Sequence, residues 1–201
     1  MLQPAPFPLS RPRRLRRTPW MRSLVAETVL TPADLIWPCF VIEGEDCAEP
    51  VPSMPGVERL SIDRLVKAAE GAAALGIPVI AVFPYTDPSL KTEECEEAWN
   101  PDNLVCRATR AVKAAVPEIG VMLDVALDPD NALGHDGLVQ GEEILNDETL
   151  LALEKQTLAQ AEAGADILGP SDKMDGRIGV MRQALEREDY PHVAILSYAV
   201  K

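Results

Sequence analysis

The sequence predicts an α/β protein built on a parallel sheet, and it favours a (β/α)8 TIM barrel of which about the first five strands are present. Short apolar runs alternate with amphipathic helical stripes from residue 34 to the end of the 201 residues. This alternation is typical of parallel strands that are joined by helical crossovers and buried on both faces. Long polar segments follow strand ends, whereas the helix-to-strand connections are short, as in a barrel. A flavodoxin-like open sheet of five strands stays an alternative, because it also binds ligands at that edge.

Five apolar runs account for the predicted strands. They span 35–42, 77–83, 119–127, 165–168 and 193–198. Helical stripes lie between them, near 62–75, 104–115, 147–163 and 176–188. Ser61 and Asn146 are predicted as N-caps, and Gly76 as the glycine that ends the first helix of the body. The polar segments 84–101 and 128–146 therefore lie on the side of the sheet that carries strand carboxyl ends.

Residues 1–33 are predicted to form an extended basic N-terminal arm, and residues 34–201 the partial barrel domain. The first 22 residues contain five prolines, which block regular helix, and six arginines without an acidic residue. Two interpretations compete, a solvated tail and an arm that lies on the acidic surface of another subunit. Phe7 and Trp20 supply apolar anchors, which favour the docked arm. A basic tail that contacts RNA or lipid is a third interpretation.

The composition excludes several classes of protein. The net charge is −13, and because the first 22 residues are basic, the rest of the chain is strongly acidic. An acidic surface argues against duplex nucleic acid as a partner. The apolar runs are shorter than the ~20 residues of a membrane span, and no signal peptide opens the chain. Four cysteines without a CxxC pair indicate reduced thiols. We therefore expect a cytoplasmic protein without a membrane or nucleic-acid partner.

Lys201 is the candidate nucleophile. It alone among the six lysines follows an apolar strand, whereas the others fall in amphipathic helices or loops. A lysine at a strand end of a barrel suits Schiff-base chemistry, provided that burial or a nearby cation keeps the amine neutral. An ordinary surface lysine is the alternative interpretation.

Two further residues are candidates for the same site. Asp124 interrupts the third apolar run, where a charge is costly unless it is paired. It could form a structural salt bridge or exchange protons with a carbinolamine beside Lys201. Ser171 follows the fourth run and could cap a helix or bind the substrate or the lysine. Asp128 and Asp136 lie in the acidic segment 124–137, which is either a solvated loop or a weak site for Mg²⁺ or a monovalent cation.

Long motifs in this sequence resemble the porphobilinogen synthase family, also called 5-aminolevulinate dehydratase. They read SMPGVERLS, DVALDPDNALGHDG, GADILGPSDKMDGRIGVMRQAL and LSYAVK, and the resemblance runs from about residue 8 to residue 201. It implies a (β/α)8 barrel, an arm that wraps a neighbouring subunit in a homo-octamer or homo-hexamer, and condensation of two 5-aminolevulinate molecules to porphobilinogen in haem synthesis. Lys201 matches a Schiff-base lysine of the family, and Asp124 and Ser171 match residues around its amine.

The chain departs from the family pattern at several positions. Ala126, Asp128 and Asp136 stand where many members have three zinc-binding cysteines, so zinc is not expected and Mg²⁺, K⁺ or no metal remain. Asp130 stands at a usual tyrosine, and Lys173 replaces the first methionine of the PSDMMDGR motif.

The resemblance also implies family segments beyond Lys201, including a second Schiff-base lysine. We therefore expect a truncated chain that is inactive alone. A single-lysine aldolase-type barrel and a non-catalytic assembly fragment are the alternative functions.

Overall fold

The structure, a computed structural model, describes residues 5–200 of a chain that divides into two units, residues 1–31 and 32–201. The first unit contains one α-helix, α1 (Pro19–Leu24). The second unit is a mixed α/β fold. Its strands are β1 (Ile36–Val41), β2 (Ala48–Pro50), β3 (Glu58–Leu60), β4 (Val79–Pro84), β5 (Gly120–Val125), β6 (Val139–Gln140), β7 (Glu143–Ile144), β8 (Ile167–Pro170) and β9 (Ala194–Ile195). Its helices are α2 (Ile62–Ala74), α3 (Leu104–Ala115), α4 (Asn146–Glu162) and α5 (Arg177–Arg187).

The main sheet has seven strands in the order β2-β3-β1-β4-β5-β8-β9. The five predicted strands correspond to β1, β4, β5, β8 and β9, and each pairs in parallel with the next along the chain. The prediction of a mostly parallel α/β sheet is confirmed. The order of these five strands follows the chain without the reversal that defines a doubly wound sheet.

The two faces of the sheet differ in burial. On one face, alternate strand residues share a single core with side chains of α2 to α5. This core includes Val41, Leu65, Ile80, Val112, Leu123, Leu153, Leu168 and Leu185, each with 0% of its surface exposed. We call the opposite face the open face; it carries Ile36, Phe40, Phe83, Met122, Asp124 and Gly169. Ile36 is exposed, and the rings of Phe40 and Phe83 lie half-buried with centroids 5.9 Å apart. Among residues 5–200, one face of the sheet is therefore more completely buried than the other. This differs from the expectation that both faces of the parallel strands are buried.

Two short strands at the edge of the sheet were not predicted. β2 and β3 form an antiparallel pair, and β3 lies parallel to the last part of β1, with Phe40 opposite Arg59 and Val41 opposite Leu60. Their sequences, AEP and ERL, are three residues long and contain charge or proline, so they have no apolar alternation to reveal them.

The helix ends follow the predicted signals in part. Ser61 is at the N-cap of α2, but its hydroxyl lies 2.7 Å from Asp63 Oδ1 and accepts a bond from the Cys47 amide. Gly76 has φ +80°, as expected of a glycine after a helix. Asn146 is the first residue of α4 rather than its cap, because its side chain instead bonds the backbone of Asp175.

The first unit differs from the expected extended arm. Residues Pro12–Arg16 form a 3-10 turn, and α1 follows with Pro19 in its first turn. Proline is tolerated there because the first amides of a helix have no partner within it. Pro12 and Pro19 therefore begin short helices. Arg11 lies over the ring of Phe7, 4.4 Å from its centroid.

Within residues 5–200, no helix is both long and apolar enough to cross a lipid bilayer.

Candidate active site

The structure places two of the three predicted catalytic residues at the carboxyl end of the parallel strands. Asp124 is the second-to-last residue of β5 and lies on the open face, half-buried. Ser171 directly follows β8, whose Gly169 is opposite Asp124. Lys201 lies outside the described residues. The described part of the candidate site is thus formed by β5, β8 and the segment after β9.

Gly169 allows an aromatic ring to approach Asp124. A Cβ atom at this position would lie 3.2 Å from Tyr198 Cε2 and would collide with Met122 Cε. The ring of Tyr198 therefore passes over the backbone of β8, beside the strand that carries Asp124. Burial raises the pKa of the Tyr198 hydroxyl, and the negative charge of Asp124 raises it further. The phenol and the carboxylate thus share one electrostatic environment on the open face.

The backbone around Asp124 is held from the helical side. Gln160 Nε2 donates to the Asp124 carbonyl oxygen at 2.7 Å, and Gln156 Nε2 donates to the Ala126 carbonyl oxygen at 3.0 Å. Both glutamines are buried and lie one turn apart on α4, so they face the same segment. They fix the end of β5 and the start of the loop after it.

We expect Gln160→Glu to lower the free energy of unfolding by at least about 2 kcal/mol at pH 8. A carboxylate at this buried position cannot donate to the Asp124 carbonyl, and it adds a charge in an apolar environment. At a pH low enough to protonate the new carboxyl, a donor returns and the loss should shrink. Urea unfolding at both pH values measures this. The exposed Gln183→Glu on α5 is the control, and equal losses in the two variants would contradict the role of Gln160.

A second carboxylate, Asp130, is buried between two loops. It follows β5, is 5% exposed, and accepts a hydrogen bond from Thr86 Oγ1 at 2.8 Å. Burial raises the pKa of Asp130 to about 6, the Thr86 bond opposes this rise, and the Glu97 charge adds to it. This carboxyl therefore titrates close to neutral pH.

The two long polar segments are joined around Asp130. The Thr92 amide donates to the Asp130 carbonyl oxygen at 3.2 Å, and the Ala132 amide donates to the Thr92 carbonyl oxygen at 2.9 Å. Beneath this junction lies a cavity of about 30 Å³, bordered by Asp124, Asp130 and Glu97. That volume suits one or two water molecules rather than an organic substrate. The junction therefore joins the loops that follow β4 and β5 close to Asp124.

The predicted metal ligands lie apart from any cluster suited to a metal. Asp128 is exposed, and Asp136 Oδ2 lies 2.6 Å from Lys173 Nζ. Among residues 5–200, no three His, Cys, Asp or Glu side chains come together as a metal site. Three of the cysteines are buried, and burial raises the pKa of Cys39 and Cys95 to about 12 and that of Cys106 to about 11. These thiols are protonated at neutral pH.

Sequence reasoning missed several residues of the site. Gly169 inside a strand is a recognised sign of close backbone approach. Gln156 and Gln160 stand on the buried stripe of α4, and amides at such positions indicate a buried partner. The burial of Asp130 had no signal in the sequence, because it depends on the pairing of two loops that are distant in the chain.

The sequence matches a known protein family and several of its members. A sequence model of the family described as delta-aminolevulinic acid dehydratase matches residues 9–201. The delta-aminolevulinic acid dehydratase of Bradyrhizobium diazoefficiens is 56% identical over 191 residues, which cover 95% of this chain and 54% of that protein. The enzyme of the same name from Rhodobacter capsulatus is 54% identical over 196 residues, covering 98% of this chain and 59% of its own length.

A solved structure has the same fold. The crystal structure of delta-aminolevulinic acid dehydratase from Toxoplasma gondii, in complex with the reaction product porphobilinogen, superposes with a TM-score of 0.91 at 43% identity. The match covers 96% of this chain and 55% of that one, so this chain spans about half the length of the relatives it matches. Taken with the match over residues 9–201, this shows that the chain belongs to the delta-aminolevulinic acid dehydratase family.

Proposed function

We propose that the complete protein carrying this chain is a porphobilinogen synthase, which condenses two 5-aminolevulinate molecules to porphobilinogen with loss of two waters. The observation that carries the proposal is the position of Asp124. It lies on the open face at the carboxyl end of β5, beside Tyr198, in a chain 56% identical to a delta-aminolevulinic acid dehydratase. Barrel enzymes have their active sites at this end of the strands.

We further propose that the open face becomes the interior of a (β/α)8 barrel. The support is the order of the five parallel strands, which advances along the chain with the helices in one buried layer. A closed barrel has this winding, whereas a doubly wound sheet reverses it. A solved structure of the complete protein with helices on both faces of the sheet would contradict the barrel.

In the proposed mechanism the Lys201 amine attacks the ketone carbon of 5-aminolevulinate. The resulting carbinolamine loses its hydroxyl as water to form the Schiff base, and this loss requires a proton donor close to the oxygen. Asp124 is the group assigned to exchange that proton. Ser171 is assigned to hydrogen bonding of the substrate or the lysine. Lys201 follows Tyr198 by three residues, so chain geometry keeps their Cα atoms within about 11 Å of each other.

We also propose that the complete protein is a homo-oligomer joined through the basic N-terminal residues. The first unit exposes six arginines together with Phe7, Trp20 and Leu24, while the remainder of the chain is acidic. A second copy supplies both the opposite charge and apolar surface. Size-exclusion chromatography without residues 1–31 tests this, and an unchanged oligomer would exclude the arm as the contact.

Reduction with borohydride in the presence of 5-aminolevulinate tests the proposed chemistry. We expect a covalent adduct on the peptide that contains Lys201, because borohydride converts a Schiff base to a stable secondary amine. The Lys201→Met variant should lack this adduct and should form no porphobilinogen. Lys67→Met, at an α2 position distant in sequence from the strand ends, should retain both. A wild-type protein that turns over substrate without an adduct at Lys201 would refute the assignment.

A further inference from the structure

We infer that the Lys173 ammonium takes the place of a metal ion at the loop that follows β5. It pairs with Asp136 and so positions that loop at the carboxyl ends of the strands. The inference deepens the proposed function, and only its kinetic readout rests on that function. It concerns residues 126–138, which we call the acidic loop, and residues 171–176, which we call the Lys173 loop.

A direct ion pair joins the two loops. Lys173 Nζ donates to Asp136 Oδ2 at 2.6 Å. The Asp136 side chain is only 18% exposed, whereas that of Lys173 is 62% exposed. The hydrogen bond and charge of Asp136 raise the pKa of the lysine, and the charge of Asp128 adds to this. The ammonium therefore contacts one of the two candidate metal ligands, Asp136, and lies within electrostatic range of the other, Asp128.

The Lys173 loop is held in place by its own contacts. Asp172 is fully buried, and its Oδ1 accepts the Met174 amide at 2.7 Å. Its other oxygen lies 3.4 Å from Arg177 Nε, and Arg177 Nη1 donates to the Met174 carbonyl at 2.9 Å. These contacts hold the backbone on both sides of Lys173 in place. Its ammonium therefore has less conformational freedom than that of a lysine on a mobile loop.

The acidic loop approaches the Lys173 loop closely at Gly137. A Cβ atom there would lie 3.2 Å from Met174 Cε and 3.0 Å from Thr149 Oγ1. The next residue, Leu138, donates its amide to Thr149 Oγ1 at 2.9 Å. Gly137 therefore brings Asp136 within reach of Lys173, and the ion pair lies at a packed junction.

While Lys173 is bound to Asp136, the side chains at this junction do not fit a divalent metal. Mg²⁺ and Ca²⁺ need several oxygen ligands around one point. Here one carboxylate, Asp136, is already bound to an ammonium, whose positive charge repels a second cation. Among residues 5–200 no third His, Cys, Asp or Glu joins such a group. An ammonium tethered to the chain offsets the charge of Asp136 without any exchange with solution.

The test is hydrogen exchange of the acidic loop, with and without Mg²⁺, in the complete protein. For the wild type we expect no change in loop protection on addition of millimolar Mg²⁺ or of a chelator. Lys173→Met should exchange about two- to fivefold faster, the range expected for loss of a partly exposed ion pair. Added Mg²⁺ should then restore protection, because Asp128 and Asp136 no longer face an ammonium. Lys173→Arg should keep the wild-type behaviour.

Two further variants complete the design. Arg64→Met, which removes the exposed ion pair with Asp46 in a different part of the sequence, should leave the acidic loop unchanged with and without Mg²⁺. Lys173→Met combined with Asp136→Asn should lose the response to Mg²⁺. Porphobilinogen formation by Lys173→Met should gain the same Mg²⁺ dependence. The inference is wrong if Mg²⁺ protects the wild-type loop, or if Lys173→Met exchanges like the wild type. Because exchange requires no turnover, either result is separable from failure of the proposed activity.

Discussion

Asp124→Asn is expected to lower the rate of porphobilinogen formation about 10²- to 10⁴-fold, the contribution typical of a positioned acid or base. The amide keeps the size of the carboxyl but cannot exchange a proton with a carbinolamine. Asp124 has the position for this role, half-buried on the open face and close enough to Tyr198 to raise the pKa of its hydroxyl. The rate of borohydride trapping at Lys201 should fall together with turnover. Steady-state kinetics of the complete protein measure the first quantity and mass spectrometry the second.

A suitable control is Asp102→Asn, which changes an exposed carboxylate that pairs with Arg110 on the surface. It should keep the wild-type rate within about twofold, since exposed pairs contribute little. Circular dichroism should show both variants folded. If folded Asp124→Asn forms porphobilinogen at the wild-type rate, the carboxylate has a structural role and the proposed proton transfer must involve another group.

Asp130→Asn is expected to stabilise the fold at pH 7.5 by up to about 3 kcal/mol, the free energy that corresponds to its shift in pKa. Burial raises the pKa of this carboxyl from 3.8 to about 6, so the folded state binds its proton more tightly than the unfolded state. The favourable contribution of the protonated form is therefore present below pH 4 and is lost as the pH rises through about 6. Asparagine keeps an oxygen that can accept the bond from Thr86 and never acquires the charge.

The measurement is the difference in unfolding free energy between Asp130→Asn and the wild type at pH 4 and pH 7.5. It should be close to zero at pH 4 and favour the variant at pH 7.5. Lys91, Glu97 and Asp128 also act on this carboxyl, and all are kept in both proteins. The exposed Glu118→Gln serves as the control and should show a much smaller difference. A variant that is less stable at pH 7.5 would mean that the charge of Asp130 supports the junction of the two loops.

Much of the fold was predictable because its signals are local. The strand residues Val79–Pro84 and Gly120–Val125 stand in apolar runs, and the helices between them have periodic buried faces and recognisable ends such as Gly76. The strands β2 and β3 had no such signal, because β3 is held by pairing with β1, and β2 by pairing with β3, rather than by an apolar pattern. The helical segments Pro12–Arg16 and Pro19–Leu24 were not predicted, because proline blocks a helix interior but is tolerated in a first turn.

The positions of the candidate site residues were predictable only where position along a strand determines them. Asp124 and Ser171 were selected since residues at carboxyl ends of parallel strands share one edge, and the structure places them there. The supporting contacts depend on pairs far apart in sequence, such as Gln160 with the Asp124 carbonyl and Lys173 with Asp136. In the sequence, neither residue of such a pair indicates which residue it contacts. Their roles therefore become apparent only from the three-dimensional structure.

The short pair β2 and β3 also limits how the sheet can be completed. On the outer edge of β1, β3 pairs with Phe40 and Val41 only. Among residues 5–200, no strand pairs with Ile36 to Cys39 on that edge. A strand that closed the proposed barrel would therefore have to pair with the first half of β1. It would be shifted along the strand direction relative to β3. Eight-stranded barrels close with such an offset, called the shear. In the proposed barrel, the pair of β2 and β3 would therefore limit where the closing strand can dock and so set its offset.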